Sequence, residues 1–365
     1  MNMGEMKMKK VMGSILTLTM AGLLMAGCGN GNANTNNEAN DGQGKTAPTE
    51  LVISTWGFSE DFFNKEVYAP FEKEHNVKIV TEIGNNAERL NKIRQGSGNV
   101  DVVYLSDYYA QQAINEDLFE QIDRSKIPNV EQIYDIAKAP LGEEYGPAFT
   151  IGRLGIAYNP KLIKQPVTSW NDLWSGEFKN NVTTPNITTT AGPMFVNAAS
   201  MVAGSKDFNE DAAFAKLKEL NPGVVKYYGQ TSEFVNMFSQ EEIAGGPIME
   251  MYMKDLKAAV PDAVFVSPKE GSYAVMNTVN IVKGSKNKEL AEEFINWHLS
   301  KEVQEKSAKN KVDSPVNTEV VLTAEEAEGV TYGADIVNHL LKLDMKFVND
   351  NIKTWTDRWN RELAQ

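Results

Sequence analysis

The 365-residue chain carries 49 acidic against 36 basic residues, a net charge of −13, which argues against a nucleic-acid partner. Its one cysteine, Cys28, lies near the amino terminus, so disulfides, thiol catalysis and zinc–thiolate sites are excluded from everything downstream. With 42% hydrophobic residues, the roughly 315 residues beyond position 49 exceed what one core ordinarily serves, and two lobes are expected.

The chain opens with Lys7, Lys9 and Lys10, an apolar stretch from Val11 to Ala26 that is short for a membrane span, and then Gly27. The run Leu24-Met25-Ala26-Gly27-Cys28 resembles the bacterial lipobox, with Met25 where leucine is usual. This implies a signal peptide over residues 1–27 and a diacylglycerol-bearing Cys28 as the first mature residue. A plain signal peptide with an incidental cysteine is the other reading, and a retained anchor a third. Residues 28–49, rich in Asn, Gly and small polar side chains, read as a flexible linker. The leader contributes +2 (three lysines against Glu5), so the remainder carries −15, a sign that favours solubility and, through steering, cationic ligands.

The folded region begins with a strand, Leu51 to Thr55, followed by a helix from about Glu60 to Glu74 with Phe63, Val67 and Phe71 on one face. A strand over Val77 to Ile83, a helix over Ala87 to Gln95 and a strand over Val100 to Leu105 follow, an alternation that predicts a parallel sheet wound with helices. Ligands in such sheets sit beyond the carboxyl ends of strands, here at Trp56-Gly57-Phe58 and Ser106-Asp107-Tyr108-Tyr109. Further strands are expected at Ile151 to Tyr158, Asn181 to Thr184, Val224 to Tyr228, Ala263 to Ser267 and Ala274 to Val282. Helices are expected from Thr168-Ser169-Trp170, over Ala191 to Val202, Phe208 to Leu220, Ser232 to Gln240 and Leu290 to Leu299, and throughout Ala334 to Leu363.

Several of these pieces are similar to the solute-binding lipoproteins of bacterial ABC importers, of the spermidine/putrescine-binding type. They are Val100-Asp101-Val102-Val103 with Ser106 to Tyr109, Gly155 to Asn159, Thr168 to Trp174, Ser267 to Gly271, and Trp355 with Arg358-Trp359-Asn360. The resemblance implies a periplasmic-binding-protein-like α/β fold of type II, two lobes joined by crossover strands that close over a solute. Residues 50–152 plus 277–316 would form the first lobe, and 153–276 plus 317–365 the second. It also implies permease and ATPase partners, no cofactor, and a monomer moored to the outer face of the membrane through Cys28.

By position, Trp56 would offer an aromatic wall for methylenes or an ammonium, or else act as a core tryptophan. Substituting Trp56 or Tyr108 by alanine is then expected to weaken binding at unchanged melting temperature. Ser106 and Tyr108 match ligand-contacting positions of the resembling family, and Asp107 points either way. In the second lobe the family's polyamine-clamping acids and tryptophans are replaced: Val275 and Asn277 stand on the strand after the Pro-Lys-Glu-Gly turn, and Met249 stands upstream. Thr189 and Thr190 at a helix start offer an anion cradle or ordinary capping. Arg153 beside the crossover would grip a carboxylate or phosphonate, or pair with a structural acid. Glu233 and Glu250 are the acids left to replace the missing clamp, or are ordinary surface glutamates. The set fits a zwitterionic, amino-acid-like solute better than a bare polyamine.

Two alternatives stand beside this. An iron or oxyanion binder on the same frame would use tyrosines such as Tyr227-Tyr228, although alternation along a strand sends these to opposite faces. An exported hydrolase would need a nucleophile or metal cluster, yet His75, His298 and His339 are scattered without ligand spacing, and no Gly-x-Ser-x-Gly or His-Glu-x-x-His run occurs.

Overall fold

A computed structural model describes residues 48–364 apart from Ser97, all within the unit Ala47–Gln365. The leader, Cys28 and nearly all of the linker lie outside the described residues.

Nine strands form one sheet: β1 (Thr49–Thr55), β2 (Val77–Ile83), β3 (Val102–Ser106), β4 (Ala148–Tyr158), β5 (Val182–Pro185), β6 (Val224–Tyr228), β7 (Gly245–Met249), β8 (Val264–Val266) and β9 (Tyr273–Ile281). Their order is β2-β1-β3-β9-β4-β7-β5-β6, with β8 also on β4. The pairs β1/β2, β1/β3, β5/β6 and β5/β7 are parallel. The long strands β4 and β9, antiparallel to each other, knit the two parallel sets together. All five residues of β3 are buried, as expected for a strand covered on both faces.

The side chains divide accordingly. One cluster draws on residues between Leu51 and Ile151 and between Ala274 and Val337, and another on residues between Leu154 and Ala244 and between Leu343 and Leu363, joined by Tyr108; two smaller clusters form around Phe119 and Phe238. In β9 the packing alternates, with Tyr273 and Val275 facing the second cluster and Ala274 and Met276 the first. The chain therefore passes between the cores three times: within β4, within β9, and between Val337 and Leu343.

Most predicted elements form within a residue or two of their expected bounds, and the differences have local causes. The first helix runs from Glu60 to His75 but widens to π pitch over Phe63–Tyr68. Pro70, just beyond, lacks an N–H for the carbonyl four residues back and its ring pushes that carbonyl away. Phe63, Val67 and Phe71 still share the buried face.

Thr168 to Trp174 forms only a short 3-10 turn, Trp170–Trp174, not the start of a long helix. A capping box between Ser169 and Asp172 starts it, but Glu270 accepts bonds from the Ser169 hydroxyl and the Trp170 N–H, and the Trp170 indole donates to the Gly271 carbonyl (2.9 Å). The C-terminal stretch breaks between Val337 and Met345, because Leu341 exchanges backbone bonds with Ser272 and Ala274 beside β9 (2.8 Å each). Asp344 then caps the final helix, Met345–Glu362.

Besides short helices such as Met253–Ala259, three elements that shape the site or the sheet were not anticipated. A helix, Asp107–Asn115, starts at the end of β3, where a turn was expected. Strand β7 is concealed by its Gly245-Gly246-Pro247 start; a Cβ on Gly246 would lie 2.0 Å from the Thr183 carbonyl oxygen, so this strand approach requires glycine. The helix Lys301–Lys309 carries few apolar residues to signal it.

His298 is wholly buried against Tyr104 and Phe149, with its Nδ1 2.8 Å from the Tyr104 hydroxyl. Burial pushes the imidazole down to about 3, whereas the unfolded chain protonates it near 6.5. Its contribution is therefore intact above pH 6.5 and is lost as pH falls from there towards 3, at up to about 1.4 kcal/mol per pH unit. His298→Asn should abolish this component. The stability difference between variant and wild type, followed by urea denaturation from pH 7 to 4, is expected to shift in the variant's favour as pH falls; parallel profiles would contradict the assignment.

Candidate functional site

The carboxyl ends of β1 and β3 lie side by side because the strands are parallel neighbours. Antiparallel register then sets Ser106 directly opposite Asn277 on β9, and Asn277 opposite Thr150 on β4. Directly paired residues point to the same face, so Ser106, Asn277 and Thr150 form a polar row spanning three strands, about 10 Å across at the usual strand spacing. Asn277 is the one residue of β9 that is not fully buried. The Ser106 Oγ is enclosed without a hydrogen-bond partner among the described residues, while the Thr150 hydroxyl donates to the Ser314 carbonyl (3.0 Å).

Trp56 borders this row, but as part of a stack. Its ring lies parallel to Phe58 (5.1 Å, 3°), close to Phe149 (5.8 Å) and Tyr104 (5.6 Å), and beneath the Arg89 guanidinium (4.9 Å). Its indole N–H is enclosed without a partner among the described residues. Trp56, half-buried, is therefore held in an aromatic stack, and its loss is expected to cost stability as well as any contact it makes with a solute.

Arg89 is itself 2% exposed, and desolvation lowers it to about 10. It donates to the Gly84 carbonyl (3.0 Å) and to Asn86 Oδ1 (2.8 Å), the same oxygen that receives the Ser106 N–H (3.1 Å). Sequence reasoning missed it, although its four-residue spacing from the buried Ile93 marked it for the inner face of the Asn86–Arg94 helix.

Asp107 opens the helix after β3 and is buried. Burial pushes its carboxyl up to about 7, with the Tyr108 N–H (2.9 Å) and the Lys342 charge pulling the other way. Tyr108 reaches the second cluster, and its carbonyl accepts from Asn349 on the last helix (3.2 Å). It lines a cavity of about 480 Å3 with Gln112, Thr188, Asn349, Ile352 and Thr356, beside the polar row and not within it.

Other predicted residues are engaged with one another or with the backbone. Arg153 grips Glu250 in a two-pronged pair (2.7 and 2.6 Å), and Glu250 also accepts from the Thr331 hydroxyl (2.8 Å). The forked geometry expected of Arg153 is present, but its acid belongs to the protein. Glu233 caps its own helix through the Gly229 and Gln230 N–H groups and bonds Lys226, which together hold it down to about 2. This is a capping role, apart from the polar row.

Thr189 accepts from the Gly192 N–H (3.1 Å) and donates to the Asn186 carbonyl (2.8 Å), so it caps the Ala191–Val202 helix. Thr190 occupies the cap position without a side-chain cap bond. The Tyr227 and Tyr228 hydroxyls bond Asn221 and the Pro247 carbonyl respectively.

Asp313 was also missed, because the polar stretch around it shows no periodicity. Its Oδ2 is enclosed without a partner among the described residues. Burial pushes this carboxyl up to about 7, opposed by the neighbouring Thr150 hydroxyl. Thus the row has a carboxylate near each end, Asp107 after Ser106 and Asp313 beside Thr150.

Among the described residues no group of three or more His, Cys, Asp or Glu side chains is placed to hold a metal, and no helix is long and apolar enough to cross a membrane.

The arrangement has close counterparts. An ABC transporter protein from Clostridium perfringens ATCC 13124 superposes with a TM-score of 0.80 at 44% identity, covering 86% of this chain and 99% of that one. The spermidine/putrescine ABC transporter substrate-binding protein PotD from Streptococcus pneumoniae has the same fold, with a TM-score of 0.70 at 24% identity over 85% of this chain and 99% of its own. Spermidine/putrescine-binding periplasmic protein 1 of Haemophilus influenzae is 30% identical over 248 residues, 65% of this chain and 67% of that protein. Residues 97–339, which hold the polar row, both crossing strands and Asp313, match the family described as bacterial extracellular solute-binding protein. The two-lobed α/β frame crossed by β4 and β9 is thus a shared architecture, and the chain belongs to the bacterial extracellular solute-binding proteins.

Proposed function

We propose that this solute-binding protein of an ABC importer captures a small amine-bearing solute, polyamine-like or zwitterionic, between its lobes and delivers it to the permease without transforming it. The observation that carries this is the row Ser106–Asn277–Thr150, lying where the chain crosses between the cores and flanked by Asp107 and Asp313. Hinged closure over that row would complete contacts from both sides, and the differential affinity of the closed state would signal occupancy. The lobe boundary we infer lies near Leu340 in the C-terminal stretch, because Val337 packs with the first core and Leu343 with the second. The chain acts as a monomer, held to the outer face of the membrane by lipid on Cys28.

Isothermal titration with butane-1,4-diamine, spermidine and 4-aminobutyrate, using neutral butane-1,4-diol as control, is expected to show micromolar or tighter binding of at least one amine and none of the diol. In cells, Cys28→Ser is expected to release the protein from the membrane fraction. Binding of the diol alone, or turnover of any of these compounds, would defeat the functional reading.

A further inference from the structure

We propose that Asp313 is the anchor for an ammonium group of the solute, with Asn277, next along the row, completing its hydrogen bonds and Ser106, at the far end, meeting a second polar group of the same solute; this rests on the solute-capture reading above. The chain contains an internal comparison for what a structural acid looks like. Asp101, which is buried, accepts from the Val52 N–H (2.9 Å), the Ser285 hydroxyl (2.6 Å) and the Asn287 amide (3.1 Å), so its carboxylate is fully served by the fold. Asp313, half-buried, has an enclosed oxygen, Oδ2, with no hydrogen-bond partner among the described residues, and the neighbouring Thr150 hydroxyl is the group that offsets its desolvation.

A carboxylate oxygen enclosed without a donor destabilises the molecule that carries it, and the natural complement is a donor-bearing cation. Its surroundings are built for one. Thr150 lies beside it, Tyr104 and Phe149 pack as an aromatic pair 4.7 Å apart next to Thr150, and the row continues through Asn277 to Ser106. Ser106, 3% exposed, presents a hydroxyl that likewise lacks a partner among the described residues. The acid beside one end of the row and the hydroxyl at the other, about 10 Å apart at the usual strand spacing, match two separate polar groups of one extended solute, with its ammonium at the acid. Asp107 differs, since the Tyr108 N–H and Lys342 already act on it.

The test compares Asp313→Asn with wild type by isothermal titration, using the diamine, spermidine, 4-aminobutyrate and diol, and by thermal melting of the ligand-free protein. The amide keeps the shape and removes the charge. Affinity for the bound amine is expected to fall at least 30-fold, while the ligand-free melting temperature stays level or rises because an uncompensated charge has gone. An amine affinity within threefold of wild type overturns the proposal while leaving solute capture standing. A variant that melts lower or does not fold marks Asp313 as a structural acid and overturns it too. A wild type that binds no amine in the panel overturns the functional reading and this inference together.

Discussion

Arg153→Met is expected to lower stability by about 3–5 kcal/mol, because it leaves the Glu250 carboxylate buried with only the Thr331 hydroxyl for company. Both side chains are largely enclosed, at 13% and 8% exposure, so water cannot readily replace the missing guanidinium. The double variant Arg153→Met/Glu250→Met removes the stranded charge and should recover most of the loss, since an apolar pair of similar volume often equals a buried ion pair. Urea denaturation of the two variants and wild type checks this. Equal losses in single and double variants would show that the arginine acts through packing against Phe265, 5.4 Å from its guanidinium, and not through the acid. Amine binding by the folded double variant should stay close to wild type, because this pair satisfies itself; a large loss there would return Arg153 to the solute.

Trp56→Ala is expected to cost about 3 kcal/mol, in the range for large aromatic truncations, and to lower the melting temperature visibly. The substitution opens a hole among Phe58, Phe149 and Tyr104 and strips the face on which the buried Arg89 rests. Trp56→Phe keeps one ring of the stack and is expected to lose much less. Any drop in solute affinity is therefore meaningful only in the phenylalanine variant. An alanine variant as stable as wild type would mean that the stack contributes nothing and that Trp56 is free to meet a ligand.

The contrast between these two residues shows what the sequence could carry. The strand and helix alternation was legible because burial on both faces, or along one helical face, writes itself as periodicity: β2, β6 and the Ala191–Val202 helix have the expected bounds. Elements defined by tertiary contact were not. Leu341 leaves its helix to pair with β9, and Gly246 buys close strand approach at the cost of any strand signal.

At the site, the register that joins Ser106, Asn277 and Thr150 depends on which strands are neighbours, and β3, β9 and β4 are far apart in the chain. Ser106 and Asn277 were therefore named individually while Thr150 was overlooked. Likewise, no local pattern distinguishes Glu250, paired within the fold, from Asp313, whose enclosed Oδ2 has no partner among the described residues.

The three passages of backbone between the cores carry one more consequence. A protease that nicks any single passage, at the β4 crossing, the β9 crossing or between Val337 and Leu343, leaves two fragments still threaded through the remaining two. Such a clipped molecule would run as two bands in detergent yet elute as one species from a sizing column.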